Sequence, residues 1–91
     1  MKTFEIGYKR FMYEFSDYFT YSIKSQNKKQ AIIQLVMEYE GISEQEAKEF
    51  IVSCAGKNWT AEDAIERINP LGSPDSALYC FNYIKEIKNA A

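Results

Sequence analysis

Histidine is absent from all 91 residues. That removes the commonest general base, a frequent zinc ligand and the side chain that titrates nearest neutral pH. It also excludes Ser-His-Asp and Cys-His nucleophile pairs. Cysteine is scarce: Cys54 and Cys80 stand apart, without zinc-ligand spacing. Each lies among apolar neighbours, so two reduced thiols are expected, with a disulfide as the alternative. Glycine is sparse too. No glycine-rich phosphate loop of the GxxxxGKS/T or GxGxxG kind occurs, and Gly7, Gly41, Gly56 and Gly72 fall where elements end or bend. Long apolar runs are missing; Phe50-Ile51-Val52 is far too short to span a bilayer. The start, Met1-Lys2-Thr3-Phe4-Glu5, lacks the apolar stretch of a signal peptide, so a cytoplasmic location without membrane contact is expected.

Aromatic side chains, by contrast, are concentrated. Eight of the fourteen fall in the first 21 residues: Phe4, Tyr8, Phe11, Tyr13, Phe15, Tyr18, Phe19 and Tyr21. Such a cluster marks a β-rich start that must pack on something or bind something. Charge is uneven as well. Residues 1–30 carry six bases and three acids, residues 31–69 three bases and eight acids, and the whole chain is at −2. The mild acidity argues against a dedicated nucleic-acid binder with a strongly basic face. In the middle segment a solvated acidic helix surface is expected.

Period-2 alternation over 3–24 predicts a β-hairpin, with strands near 3–15 and 18–24 and a turn at Ser16-Asp17. Phe4, Ile6 and Tyr8 share one parity, and Phe11, Tyr13 and Phe15 the other. The flip near Gly7-Tyr8-Lys9-Arg10 predicts a bulge or bend. Phe11, Tyr13 and Phe15 with Phe19, Tyr21 and Ile23 would then form one apolar face, which needs a helix as cover.

From Asn27 the period becomes helical. Asn27 or Ser25 can cap a helix near 28–40 bearing Ala31, Ile32, Leu35, Val36 and Tyr39, which Gly41 ends. Ser43 and Glu46 form a capping box for 44–55, although 50–54 also reads as strand. Thr60 caps 61–68, which Asn69-Pro70 ends. Ser73-Pro74-Asp75 begins a fourth helix near 74–88, with Ala77, Cys80, Phe81, Ile84 and Ile87 on one face. A strand reading of Tyr79-Phe81-Tyr83 stays open. The predicted class is α+β, an N-terminal aromatic-rich hairpin on a bundle of about four helices, in a single domain over 1–91. Ile32, Leu35, Val36, Phe50, Ile51, Ile65, Phe81 and Ile84 are expected to share the core.

Part of the helical region carries a family likeness. Ile33, Val36, Gly41, Ala47, Phe50, Ile51, Gly56 and Ala64-Ile65-Glu66 give residues 31–68 a pattern that resembles the three-helix ubiquitin-associated-like fold, in the form found at the start of elongation factor Ts. The resemblance implies a helix arrangement and no binding site. The connector Lys57-Asn58-Trp59-Thr60 is longer than the family's, and the aromatic hairpin is not part of that fold.

No catalytic constellation or cofactor site emerges, so a non-enzymatic protein is expected. The acidic groups Glu38/Glu40, Glu44/Glu46/Glu49 and Glu62/Asp63/Glu66 read as exposed helix faces beside Lys48 and Arg67. The leading expectation is a module that binds another protein. Its anchors would be exposed hairpin tyrosines among Tyr8, Tyr13, Tyr18 and Tyr21, and Glu44, Glu46 and Glu49 would tune association. One version is an inhibitor or modulator whose acidic face competes with nucleic acid, of the kind an accessory gene of a phage or mobile element encodes. The alternative is nucleic-acid binding by the hairpin, where Lys2, Lys9, Arg10, Lys24, Lys28 and Lys29 interleave with aromatics. It fails if the rings face the core and only the bases face solvent.

Overall fold

A computed structural model describes residues 1–12, 15–68 and 78–88. The elements run β1 (Lys2–Met12), β2 (Phe15–Ser25), α1 (Lys28–Glu40), α2 (Glu44–Ala55), α3 (Ala61–Arg67) and β3 (Leu78–Ile87). The three strands form one antiparallel sheet in the order β2-β1-β3. The class is α+β as expected, with three helices rather than four among the described residues.

Register decides which side chains share a face. β1 and β2 pair without interruption from Lys2↔Ser25 to Met12↔Phe15. Ser16 and Asp17 therefore lie inside β2, opposite Phe11 and Arg10, and not in a turn. The hairpin itself has no bulge. The irregularity lies on the other side of β1, where Gly7 pairs with Tyr83 but Tyr8 with Phe81. Asn82 is the extra residue, and the bulge belongs to β3. With unbroken register, Phe4, Ile6 and Tyr8 face the same way as Ile23, Tyr21 and Phe19. Phe11 points the other way, contrary to the expected grouping of Phe11 with Phe19, Tyr21 and Ile23.

The bulge also explains why the last element is a strand where a helix was expected. Skipping Asn82 brings Phe81 and Ile84, three residues apart, onto one face, and both are buried. Three-residue spacing between buried apolar side chains imitates a helical turn. Pairing with β1 along its length gives β3 its backbone hydrogen bonds and overrides the local cap signal at Ser73-Pro74-Asp75, which lies outside the described residues.

The helices end where the cap residues dictate. Asn27 Oδ1 accepts from the Gln30 N–H at 2.8 Å, and Gly41 closes α1 in the left-handed region at φ 65°. Ser43 with Glu46 and Thr60 with Asp63 form reciprocal capping boxes on α2 and α3. Between α1 and α3, Lys28 pairs with Glu62 at 2.9 Å.

On the inner face of the sheet α1 packs against β2 and β3 and α3 against β3, while α2 packs on α1 and α3. The core joins Phe4, Ile6, Ile23, Phe81 and Ile84 of the sheet to Ile32, Leu35, Val36, Ile51, Ala64 and Ile65 of the helices. Phe50, expected there, is half-buried at its margin. Cys54 and Cys80 are free and half-buried, the latter on a strand rather than a helix. No described helix is long and apolar enough to cross a membrane.

Candidate functional site

Among the described residues nothing covers the outer face of the sheet. Alternation places Glu5, Gly7, Lys9 and Phe11 of β1 there, beside Tyr18, Thr20, Ser22 and Lys24 of β2 and Tyr83 and Lys85 of β3. Every one of these β2 and β3 residues is exposed. Three rings dominate: Tyr18 is 73% exposed, and Phe11 and Tyr83 are each 39% exposed.

Each ring has an ammonium group beside it. Lys9 lies between two, its Nζ 5.0 Å from the Phe11 centroid and 5.4 Å from that of Tyr18. Lys85 Nζ is 5.6 Å from the Tyr83 centroid. Cation–π attraction at such exposed sites is worth about 0.5–1 kcal/mol, enough to bias rotamers without closing the surface.

Tyr83 is seated by a glycine. A Cβ at Gly7 would come within 2.0 Å of Tyr83 Cε2, so the absent side chain is what lets the ring lie across the central strand. The Tyr83 hydroxyl donates to Glu5 Oε2 at 2.7 Å, and Lys85 Nζ reaches the same oxygen at 3.4 Å. The hydroxyl holds the Glu5 carboxyl below the usual carboxylate range; desolvation opposes it, and Lys85 adds to the lowering. The same bond raises the Tyr83 phenol. Glu5, the acid that alternation places among these outer-face residues, is thus already engaged, while among the described residues no carboxylate pairs with Lys9 or Lys24. Around Gly7 a shallow depression of about 250 Å³ is lined by Tyr18, Thr20, Asn82 and Tyr83.

The tyrosines expected to act together lie in different places. Tyr18 is on the outer face. Tyr8 points inward, stacked on Phe19 with ring centroids 5.7 Å apart and touching Tyr79 and Phe81. Tyr21 also points inward and donates its hydroxyl to Glu38. Burial first, and then Glu38, pushes its phenol up to about 12. Tyr13 lies outside the described residues. Two outer-face rings escape a reading by sequence. Phe11 escapes because its parity suggests a place among the inward residues, and Tyr83 because β3 has helical spacing.

The acidic candidates sit on the opposite side of the molecule, on α2, and each is engaged locally. Glu44 accepts from Gln30 Nε2 at 2.9 Å, Glu46 closes the capping box, and Glu49 accepts from Gln45 Nε2 at 3.3 Å. Two of them, Glu44 and Glu46, stabilise the first turn of α2 against its dipole. Among the described residues no group of three or more acidic, cysteine or histidine side chains is placed to hold a metal ion.

Two grooves lie elsewhere. One, at the start of α1, is lined by Lys28, Lys29, Trp59 and Glu62, and the Lys29 ammonium rests 4.5 Å from the Trp59 centroid. The other runs between β2 and α1, lined by Tyr21, Ile23, Gln34, Met37 and Ile42. Comparison with protein-family models, with curated proteins and with solved structures finds no match for this chain.

Proposed function

We propose that this protein is a non-enzymatic binding module and that its working surface is the outer face of the sheet. The observation that carries the reading is the position of Phe11 and Tyr18, held apart by Lys9 on a face that none of the three helices covers. Large rings exposed side by side have no role in the core, and aromatic anchors dominate binding energetics when they are desolvated by a partner. Both partner classes expected from the sequence use such a surface. Another protein would seat Tyr18 and Phe11 in pockets, with the lysines as a polar rim. A single-stranded nucleic acid would stack its bases on the same rings.

The inhibitor version, in which Glu44, Glu46 and Glu49 imitate nucleic acid, draws support from their exposure on α2. The local hydrogen bonds of all three count against it. The resemblance of residues 31–68 to the ubiquitin-associated-like fold, which rests on sequence pattern, adds no binding residue to either version.

A photo-crosslinking phenylalanine analogue placed at position 18, or in a second variant at position 49, tests the surface whichever partner occupies it. Irradiation in the native cell is expected to give discrete adducts from position 18 and none from position 49. The reverse pattern would move the working surface to the acidic helices.

A further inference from the structure

We infer that the outer face takes single-stranded nucleic acid, with bases stacked on Phe11, Tyr18 and Tyr83 and phosphates met by Lys9 and Lys24. This rests on the reading of that face as the working surface and names the chemistry of its partner.

The first argument is charge. The chain as a whole is at −2, but its charges are sorted. The outer face presents Lys9, Lys24 and Lys85 against Glu5; Lys85 pairs with that carboxylate, which leaves Lys9 and Lys24 without an ion-pair partner among the described residues. The carboxylates of α2 lie on the far side. A polyanion is therefore attracted to one face and repelled from the other, and local charge governs such binding more than net charge does. An uncharged protein partner would gain nothing from this sorting.

The second argument is the pairing of rings with ammonium groups. Phe11 and Tyr18 share Lys9, and Tyr83 has Lys85, all within 5.6 Å of the ring centroids. A nucleotide needs a flat surface for its base and a cation for its phosphate within a few ångströms of each other, and this unit recurs along the face. Protein hot spots need no such recurrence.

The third argument is length and strandedness. Tyr83 lies opposite Gly7, and Gly7 to Phe11 is four residues of strand, roughly 13 Å. That span suits two or three nucleotides with unstacked bases. In a duplex both base faces are taken by neighbours, so rings lying on a sheet find nothing to stack on. Thr20, Ser22 and the bulged Asn82 are exposed among the rings and can donate to base edges or sugar oxygens.

The test is fluorescence anisotropy of labelled oligonucleotides of about ten nucleotides, oligo-dT and oligo-U, with the full chain. Wild type is expected to bind at least one of them, the stronger partner telling DNA from RNA. With two lysines engaged, log K should fall with log salt at a slope of about −1.4. Tyr18→Ala should weaken binding at least about fivefold and Tyr18→Phe should restore it, since loss of one stacked base costs ~1–3 kcal/mol. Lys28→Gln with Lys29→Gln, away from the face, should change little. The inference is overturned if neither oligonucleotide binds, if a duplex of equal length binds as tightly, or if the Lys28/Lys29 variant loses binding while Tyr18→Ala keeps it. Failure of the wider reading looks different. Protein adducts from the crosslinker at position 18, with no oligonucleotide binding, would leave the outer face as the working surface with a protein partner. No adducts from position 18 would remove both.

Discussion

On the inner face of the sheet Tyr21, Tyr79 and Phe81 gather around Tyr39 of α1, and Tyr8 joins Tyr79 and Phe81 to Phe19, with neighbouring centroids 4.9–6.2 Å apart. On the outer face Phe11, Tyr18 and Tyr83 touch lysines instead of one another. The two sets have the same chemistry and come from the same three strands. What separates them is parity alone. Most inward rings pack on α1 or on one another and become part of the fold, with Phe19 on the edge strand staying 40% exposed, and Tyr21 spends its hydroxyl on Glu38. Outward rings have no helix above them and are left for contact. Aromatic content therefore does not mark a site in this chain; the face does.

The contrast can be broken first on the inner side. Phe4 and Leu35 are fully buried where the sheet meets α1. Phe4→Ala or Leu35→Ala should cost about 2–5 kcal/mol in urea unfolding, because neither site can collapse without moving a helix. A midpoint unchanged by Leu35→Ala would mean that α1 does not cover the inner face.

A smaller effect should appear at high pH. The Tyr21 phenol ionises near 10 when unfolded and near 12 in the fold. Above pH 10 the native state therefore holds a proton that the unfolded chain has released, and stability must fall as pH rises. The contribution is complete below pH 10 and lost by about pH 12. Burial raises Tyr39 still further, so it loses stability in the same direction. Tyr21→Phe should flatten the fall between pH 10 and 12 at a cost of about 1 kcal/mol at neutral pH. An unchanged pH profile would place Tyr21 among the outward rings.

The smallest effect sharpens the outer side. Gly7→Ala should push Tyr83 off the central strand, since the new Cβ needs the space of the ring. Glu5 then loses the hydroxyl that most lowers its pKa, and its carboxyl resonance should titrate at higher pH than in wild type. The sign follows from linkage: a depressed carboxylate stabilises the fold above its unfolded pKa, and that contribution disappears as pH falls through the folded value. If Glu5 titrates identically in Gly7→Ala, Tyr83 is not seated there.

The helical half of this fold is legible from caps. Asn27, Ser43 with Glu46, and Thr60 with Asp63 each satisfy local N–H groups, and the helices begin where those residues stand. The existence of the hairpin is legible from alternation, but its faces are not. Both parities of β1 carry aromatics, so composition does not say which trio turns inward; only the pairing with β2 and the cover by α1 decide it. β3 is hidden by its bulge, because Phe81 and Ile84 have helical spacing when Asn82 is counted. Without β3, Tyr83 and Lys85 have no place, and one of the three outer-face rings stays out of sight. Tyr18 alone of the four candidate tyrosines lies on it among the described residues.

Tyr8→Ala and Tyr18→Ala, measured side by side in the same unfolding titration, test the division of faces most directly. Both remove the same ring from the same hairpin. Tyr8 leaves a hole among Phe19, Tyr79 and Phe81, and its loss should cost about 2–4 kcal/mol. Tyr18 is 73% exposed, and its loss should leave stability within about 0.5 kcal/mol. A cost for Tyr18→Ala as large as that for Tyr8→Ala would mean that the chain covers its own outer face, and the working surface proposed there would not exist.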